Sequence, residues 1–164
     1  MADVRSGWRR VVPSPRPLQV LEVRVIELLA SQGVTVICAG GGGIPVLERS
    51  DGTLLGVEAV IDKDSASALL ARQFGADYLM LLTDVDGLYL DWGSPSARLI
   101  KRAGPRALDR ADFAAGSMGP KLDAAIGFTA ETGRPASIGR ATRILAGAAG
   151  TRSDAVATGL VLSP

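Results

Sequence analysis

The segment that most restricts the fold is Val34-Thr35-Val36-Ile37-Cys38-Ala39 running into Gly40-Gly41-Gly42-Gly43. A short apolar run rich in β-branched residues reads as a strand buried on both faces, the kind found in parallel sheets. Four glycines at its carboxyl end leave backbone N–H groups uncovered by any Cβ, so an anion could approach them closely. A plain mobile turn is the alternative reading. A P-loop is excluded because no Gly-Lys-Ser/Thr follows, and Pro45 stands where a dinucleotide-binding helix would begin.

The rest of the chain repeats this strand–helix alternation. Residues 1–17 read as an extended arm, since Pro13, Pro15 and Pro17 forbid regular structure. From Leu18 a helix is predicted, with Leu18, Leu21, Val25, Leu28 and Leu29 on one stripe and Gly33 as its stop. Ser50-Asp51-Gly52 between two apolar runs signals a hairpin. Asp64 is expected to cap a helix over 65–74 ending at Gly75, followed by a strand over 78–83. Residues 91–116 read as loop with a helical turn near 109–113. A helix over 120–132 comes next; Gly127 inside it costs about 1 kcal/mol relative to Ala, so a packing reason is expected. A strand over 135–139 and a last helix over 141–148 complete a domain spanning 18–152, and 153–164 read as an irregular tail. The sum is an α/β domain with a mostly parallel sheet, in which ligands bind at the carboxyl ends of strands.

Composition excludes several chemistries. The 164 residues suit one domain, and 47% apolar content with positive mean hydropathy excludes disorder. Eighteen Lys and Arg against seventeen Asp and Glu give a net charge of +1, too small a field to drive nucleic-acid or membrane binding. With no histidine and only Cys38, His/Cys zinc sites, histidine triads and intrachain disulfides are excluded, and no metal-ligand set is expected. Neither a signal peptide nor an apolar stretch of spanning length is visible, so a cytoplasmic protein is expected.

Three further polar clusters accompany the glycines. In Asp62-Lys63-Asp64 two carboxylates could hold one ammonium in place for a phosphate, or could be a helix cap with a surface ion pair worth about 0–1 kcal/mol. Thr83-Asp84-Val85-Asp86-Gly87-Leu88-Tyr89 leaves a strand through an Asp-Gly turn, and alone that is turn chemistry. In Gly116-Ser117-Met118-Gly119-Pro120-Lys121, Pro120 opens a helix and makes Lys121 a first-turn cation, opposed by the dipole at about 0.3–1 kcal/mol. An anion bound at that helix end would reverse the sign. A backbone cradle, two lysines and an orienting carboxylate suit phosphoryl transfer, which is mostly positioning and charge neutralisation.

Taken in order, Gly7-Trp8-Arg9-Arg10-Val11-Val12-Pro13-Ser14-Pro15, the glycine run with Ile44-Pro45-Val46, Val57 to Asp64, Thr83-Asp84-Val85-Asp86 and Gly116 to Lys121 resemble the carbamate kinases of the amino-acid kinase superfamily. The resemblance covers roughly residues 7 to 151. It implies a three-layer αβα sandwich and the reaction ATP + carbamate ⇌ ADP + carbamoyl phosphate, with Mg²⁺ accompanying the nucleotide, as in arginine metabolism. By position it implies that Lys63 and Lys121 neutralise the transferring phosphoryl group and that Asp64 orients them. Gly40 to Gly43 would face carbamoyl phosphate, and Arg9 and Arg10 would help close the site. Thr83, Asp84, Val85, Tyr89, Met118, Gly119 and Pro120 would line the nucleotide site.

The departures from that family are as informative. Its members are about twice this length and begin with a strand leading into a Gly-Gly-Asn loop, followed by a protruding subdomain. This chain resembles only the C-terminal half, and its last residues differ from the family's final strand. Three readings follow: an enzyme completed by a separately encoded N-terminal half or acting feebly alone; a truncated nucleotide-binding module without turnover; another kinase of the same fold. Family members are typically homodimers. Loss of half a shared sheet should leave an apolar edge or face exposed, with marginal stability or association.

Overall fold

The computed structural model describes residues 2–3, 7–8, 11–104, 106–108, 113, 118–146, 150–154 and 160–162. In chain order the elements are β1 (Ala2–Asp3), β2 (Gly7–Trp8), α1 (Val23–Ser31), β3 (Val46–Glu48), β4 (Leu54–Gly56) and α2 (Lys63–Phe74). There follow β5 (Leu79–Leu82), β6 (Tyr89–Leu90), β7 (Arg98–Ala103), α3 (Met118–Thr132), β8 (Ala136–Gly139), α4 (Ala141–Leu145), β9 (Thr151–Ser153) and β10 (Leu160–Leu162).

The main sheet runs β10-β7-β9-β8-β5, with β6 also pairing to β7. It is mixed rather than mostly parallel. β5 lies parallel to β8 and β7 to β9, whereas β9 is antiparallel to β8, and β10 and β6 are antiparallel to β7. The connection from β8 to β9, residues 140–150, is shorter than the dozen or so residues a parallel crossover needs, so the chain returns antiparallel. The tail, expected to be irregular, re-enters the sheet as β10, and the expected loop over 91–116 contains β7.

The core is built by the chain from α2 onward. Helices α2 and α3 pack on each other, and α3 lies against β5 and β8. Phe128, Leu122, Ile100, Ile138 and Leu88 are the large apolar side chains most completely buried. Every residue of β8 is buried, as a central strand requires. Gly127 faces the Arg72 guanidinium at an ordinary contact distance, so there is room for a Cβ and no packing demand explains it.

The segment before α2 is different. α1 begins at Val23 rather than Leu18, and the Val20 N–H ahead of it donates to Gln73 Oε1 (3.0 Å) on α2. None of its residues is buried, and the stripe seen in the sequence faces solvent. Residues 34–39, expected as a buried strand, form no ladder; Ile37 is 97% exposed. A strand exists only by its partners, and among the described residues none stands beside this run.

The β3–β4 hairpin forms as expected around Ser50-Asp51-Gly52, with Leu47 opposite Leu55. Asp51 accepts from the Thr53 hydroxyl (2.6 Å) and backbone N–H (2.9 Å), which together hold its carboxyl below the usual carboxylate range.

Candidate active site

Helix α2 opens with an exchange of roles between two aspartates. Asp62, in extended backbone, is the N-cap, and its carboxylate accepts from the Ser65 N–H (2.8 Å). Asp64, expected to be the cap, lies two residues further on, within the first turn, and is buried. Gly75 in the left-handed region closes the helix as expected. With capping done by Asp62, the Asp64 carboxylate is free to bind side chains from elsewhere.

It binds two ammonium groups. Lys121 Nζ lies 2.9 Å from Asp64 Oδ1, and Lys63 Nζ lies 3.7 Å from Oδ2. The expected arrangement of two carboxylates on one lysine is thus inverted: one carboxylate serves two lysines. Lys121 and Asp64 are almost fully buried, while the Lys63 side chain is 59% exposed. One cation is therefore fixed in the protein and the other projects toward solvent from the same anchor.

Lys121 reaches Asp64 because α3 packs along α2. The helix starts at Met118, so Pro120 is its third residue and Lys121 its fourth, not the second expected. Proline is tolerated there because N–H groups of the first turn have no acceptor within the helix. Asp64 supplies the countercharge that a cation near the positive end of a helix lacks.

The glycine run sits at the same helix entry. A Cβ on Gly42 would lie 1.9 Å from the Ile61 carbonyl oxygen, and its φ of +140° suits glycine. Gly42 is therefore packed on the residue just before Asp62. Gly40, Gly41 and Gly43 have open space where a side chain would stand. Exposed backbone next to paired ammonium groups is a surface fitted to an anion.

The Thr83–Tyr89 segment leaves the carboxyl end of β5 and is fixed to the other side of the sheet. The Thr83 N–H donates to the Gly139 carbonyl (3.0 Å), and Asp86 accepts from Arg140 (3.0 Å). The Leu88 N–H donates to the buried Thr151 hydroxyl (2.7 Å), which donates to the Ile100 carbonyl (2.6 Å). Position 87 has no room for a side chain, since a Cβ there would stand 2.8 Å from that same hydroxyl oxygen. Asp84 is exposed, Thr83 and Val85 half-buried, and Tyr89 packs its ring on Trp92 at 4.9 Å. Met118 and Pro120 are half-buried and Gly119 is buried at the start of α3. Arg9, Arg10, Gly116 and Ser117, and all but Phe113 of the expected turn over 109–113, lie outside the described residues.

The sequence did not single out Thr151, Asp86 with Arg140, or the Gly42–Ile61 approach. Only the spacing Asp62-x-x-Ser65 carried a readable signal, that of a cap accepting from the third residue beyond it.

The profile of the amino acid kinase family matches residues 2–140. The chain belongs to that family. Among its relatives, the carbamate kinase of Haemophilus influenzae is 48% identical over 155 residues, spanning 93% of this chain and 50% of that protein. The carbamate kinase of Rhizobium meliloti is 53% identical over 136 residues, spanning 82% of this chain and 42% of that protein. The solved carbamate kinase of Giardia lamblia bound to AMP-PNP superposes with a TM-score of 0.82 at 44% identity, covering 94% of this chain and 51% of the other. The chain thus spans about half the length of the carbamate kinases it matches. The amino acid kinase fold of this member carries the lysine pair on α2 and α3, and no helix among the described residues is long and apolar enough to cross a membrane.

Proposed function

We propose that this chain is the nucleotide-holding half of a carbamate kinase, exchanging a phosphoryl group between ATP and carbamate. The observation that carries the reading is the convergence of Lys63 and Lys121 on Asp64 beside the tetraglycine segment. Relatives at about half identity are carbamate kinases, and one of similar fold binds AMP-PNP.

In this reading the transferring phosphoryl group sits between the two ammonium groups. Lys121, held by Asp64, supplies a preorganised charge that need not reorient during transfer, and Lys63 follows the moving oxygens. Gly40 to Gly43 offer N–H groups to carbamoyl phosphate. Thr83, Asp84, Val85, Tyr89 and the 118–120 turn line the nucleotide. In the direction of ATP formation, an oxygen of the ADP terminal phosphate forms the new P–O bond as the bond to the carbamate oxygen breaks. Among the described residues no group of three or more acidic, Cys or His side chains stands together. A Mg²⁺ would arrive on the nucleotide phosphates as part of the substrate.

A second reading, a nucleotide-binding module without turnover, is favoured by the chain's half-length match to its relatives. Incubating the pure chain with ADP, Mg²⁺ and carbamoyl phosphate separates the two. ATP formation, lost in Lys121→Ala, supports the kinase; AMP-PNP binding without ATP formation leaves the module; neither one removes both.

A further inference from the structure

The carboxyl ends of β5 and β8 lie side by side, with Leu82 opposite Gly139 in the parallel register. Just past that edge, where ligands of such sheets bind, the Thr83–Tyr89 segment is clasped to the start of α4. The Thr83 N–H donates to the Gly139 carbonyl (3.0 Å). Three residues later the segment passes directly over Gly139, since a Cβ there would stand 2.6 Å from the Asp86 carbonyl oxygen. The Asp86 carboxylate then meets two guanidinium groups, Arg140 Nε at 3.0 Å and Arg143 Nη2 at 3.9 Å. Arg140 is an unusual residue for its place. It is the N-cap of α4, where Ser, Thr, Asp or Asn would supply an acceptor, and its side chain caps nothing. Its charge also opposes the positive end of the helix. Arg143, three residues on, shares its side of α4. Both arginine side chains are about half exposed, and neither belongs to the lysine pair on Asp64. What the two gain at this position is a shared carboxylate from another element.

We propose that Arg140, with Arg143 as a second contact, is a positioning residue for nucleotide binding. Through Asp86 it sets where Thr83, Asp84 and Val85 stand, without touching the ligand itself. Hydrogen bonds fix the two ends of the segment, from the Thr83 N–H to Gly139 and from the Leu88 N–H to Thr151. Between those ends the Asp86 carboxylate supplies the tie. Two cations on one carboxylate restrain it from two directions, and such a network holds a position better than an isolated surface pair does. The inference rests on the proposed nucleotide role of Thr83 to Tyr89 and adds a residue outside that segment which decides its placement.

The experiment titrates the full 164-residue chain with AMP-PNP and with inorganic tripolyphosphate, which carries phosphates without a nucleoside; calorimetry reads affinity and circular dichroism reads folding. Arg140→Ala is expected to weaken AMP-PNP roughly fivefold and tripolyphosphate less than about twofold. Arg140→Lys, which keeps a cation within reach of Asp86, should recover part of the loss. Asp86→Asn removes a charge of the opposite sign, yet should weaken AMP-PNP in the same direction, and joining it to Arg140→Ala should add little because either change cuts the same tie. Three results would overturn the proposal: AMP-PNP affinity unchanged in Arg140→Ala; equal losses for both ligands, which would make Arg140 a distant charge acting on any anion; or opposite effects of Arg140→Ala and Asp86→Asn, the mark of simple electrostatics. A wild-type chain that binds tripolyphosphate but not AMP-PNP would remove the nucleotide reading itself, and this inference with it.

Discussion

Lys121 Nζ and Asp64 Oδ1 are 2.9 Å apart, buried together, and joined across 57 residues of sequence. Removing one partner of such a pair leaves a charge in a poor solvent, which costs about 3–5 kcal/mol. Because Lys63 remains near the other oxygen, Lys121→Ala should fall at the low end, about 3 kcal/mol in urea unfolding. Lys63→Ala, at a side chain 59% exposed, should change stability by less than about 1 kcal/mol. Both should weaken AMP-PNP by roughly tenfold or more, the loss of one charge-assisted contact. Titration calorimetry on the folded variants checks this; unchanged affinity in Lys63→Ala would remove that lysine from the phosphate site.

The same pair marks the limit of what the amino-acid order discloses. Both lysines and Asp64 stand out by neighbouring residues, but which carboxylate serves which lysine depends on where α2 starts. A shift of the cap from Asp64 to Asp62 turned Asp64 inward. The hairpin, α2, α3, β5 and β8 were legible because turn residues and periodicity are local signals. β7 was not: Arg98, Lys101 and Arg102 mask a strand whose Ile100 and Ala103 are fully buried. The run 34–39 misled for the opposite reason, having every local mark of a strand and no partner. The antiparallel entry of β9 follows from loop length, which composition does not announce.

Gly42 gives a sharper test of the glycine segment than its neighbours do. Alanine there must move the loop off the Ile61 carbonyl, since backbone cannot yield a 1.9 Å approach, and the positive φ adds strain of about 1–3 kcal/mol. Gly41→Ala meets open space and should stay within about 0.5 kcal/mol. If the segment holds phosphate through its N–H groups, Gly42→Ala loses AMP-PNP or carbamoyl phosphate binding while still folded, as circular dichroism would report. Equal binding by the two variants would make Gly42 purely structural.

The Asp51 turn has a predictable acid response. Its folded carboxyl titrates below the ordinary 3.8, chiefly through the Thr53 hydroxyl and then the Thr53 N–H. A lowered folded value means the contribution to stability is present above 3.8 and is lost as pH falls through the folded value. Carboxyl-carbon NMR should give a midpoint below 3.8, moving back toward it in Thr53→Ala. A midpoint unaffected by that substitution would separate the shift from the hydroxyl.

Thr151 tests whether the Thr83–Tyr89 segment, proposed to line the nucleotide, is positioned from β9. Its hydroxyl is buried, accepts from the Leu88 N–H and donates to the Ile100 carbonyl, and so fixes the Gly87–Leu88 turn to β7 and β9. Thr151→Val keeps the shape but leaves buried polar groups without partners, at a cost of about 1–3 kcal/mol. Thr151→Ser keeps the hydroxyl and should recover most of that. Because Thr83 to Tyr89 are held by this anchor and by Arg140 on Asp86, loosening it should weaken AMP-PNP more than it weakens inorganic phosphate at the lysine pair. Binding isotherms for the two ligands in the valine and serine variants decide the matter. A uniform loss in both ligands would mean that valine merely unfolds the domain, and a loss confined to AMP-PNP would make Thr151 a positioning residue for the nucleotide.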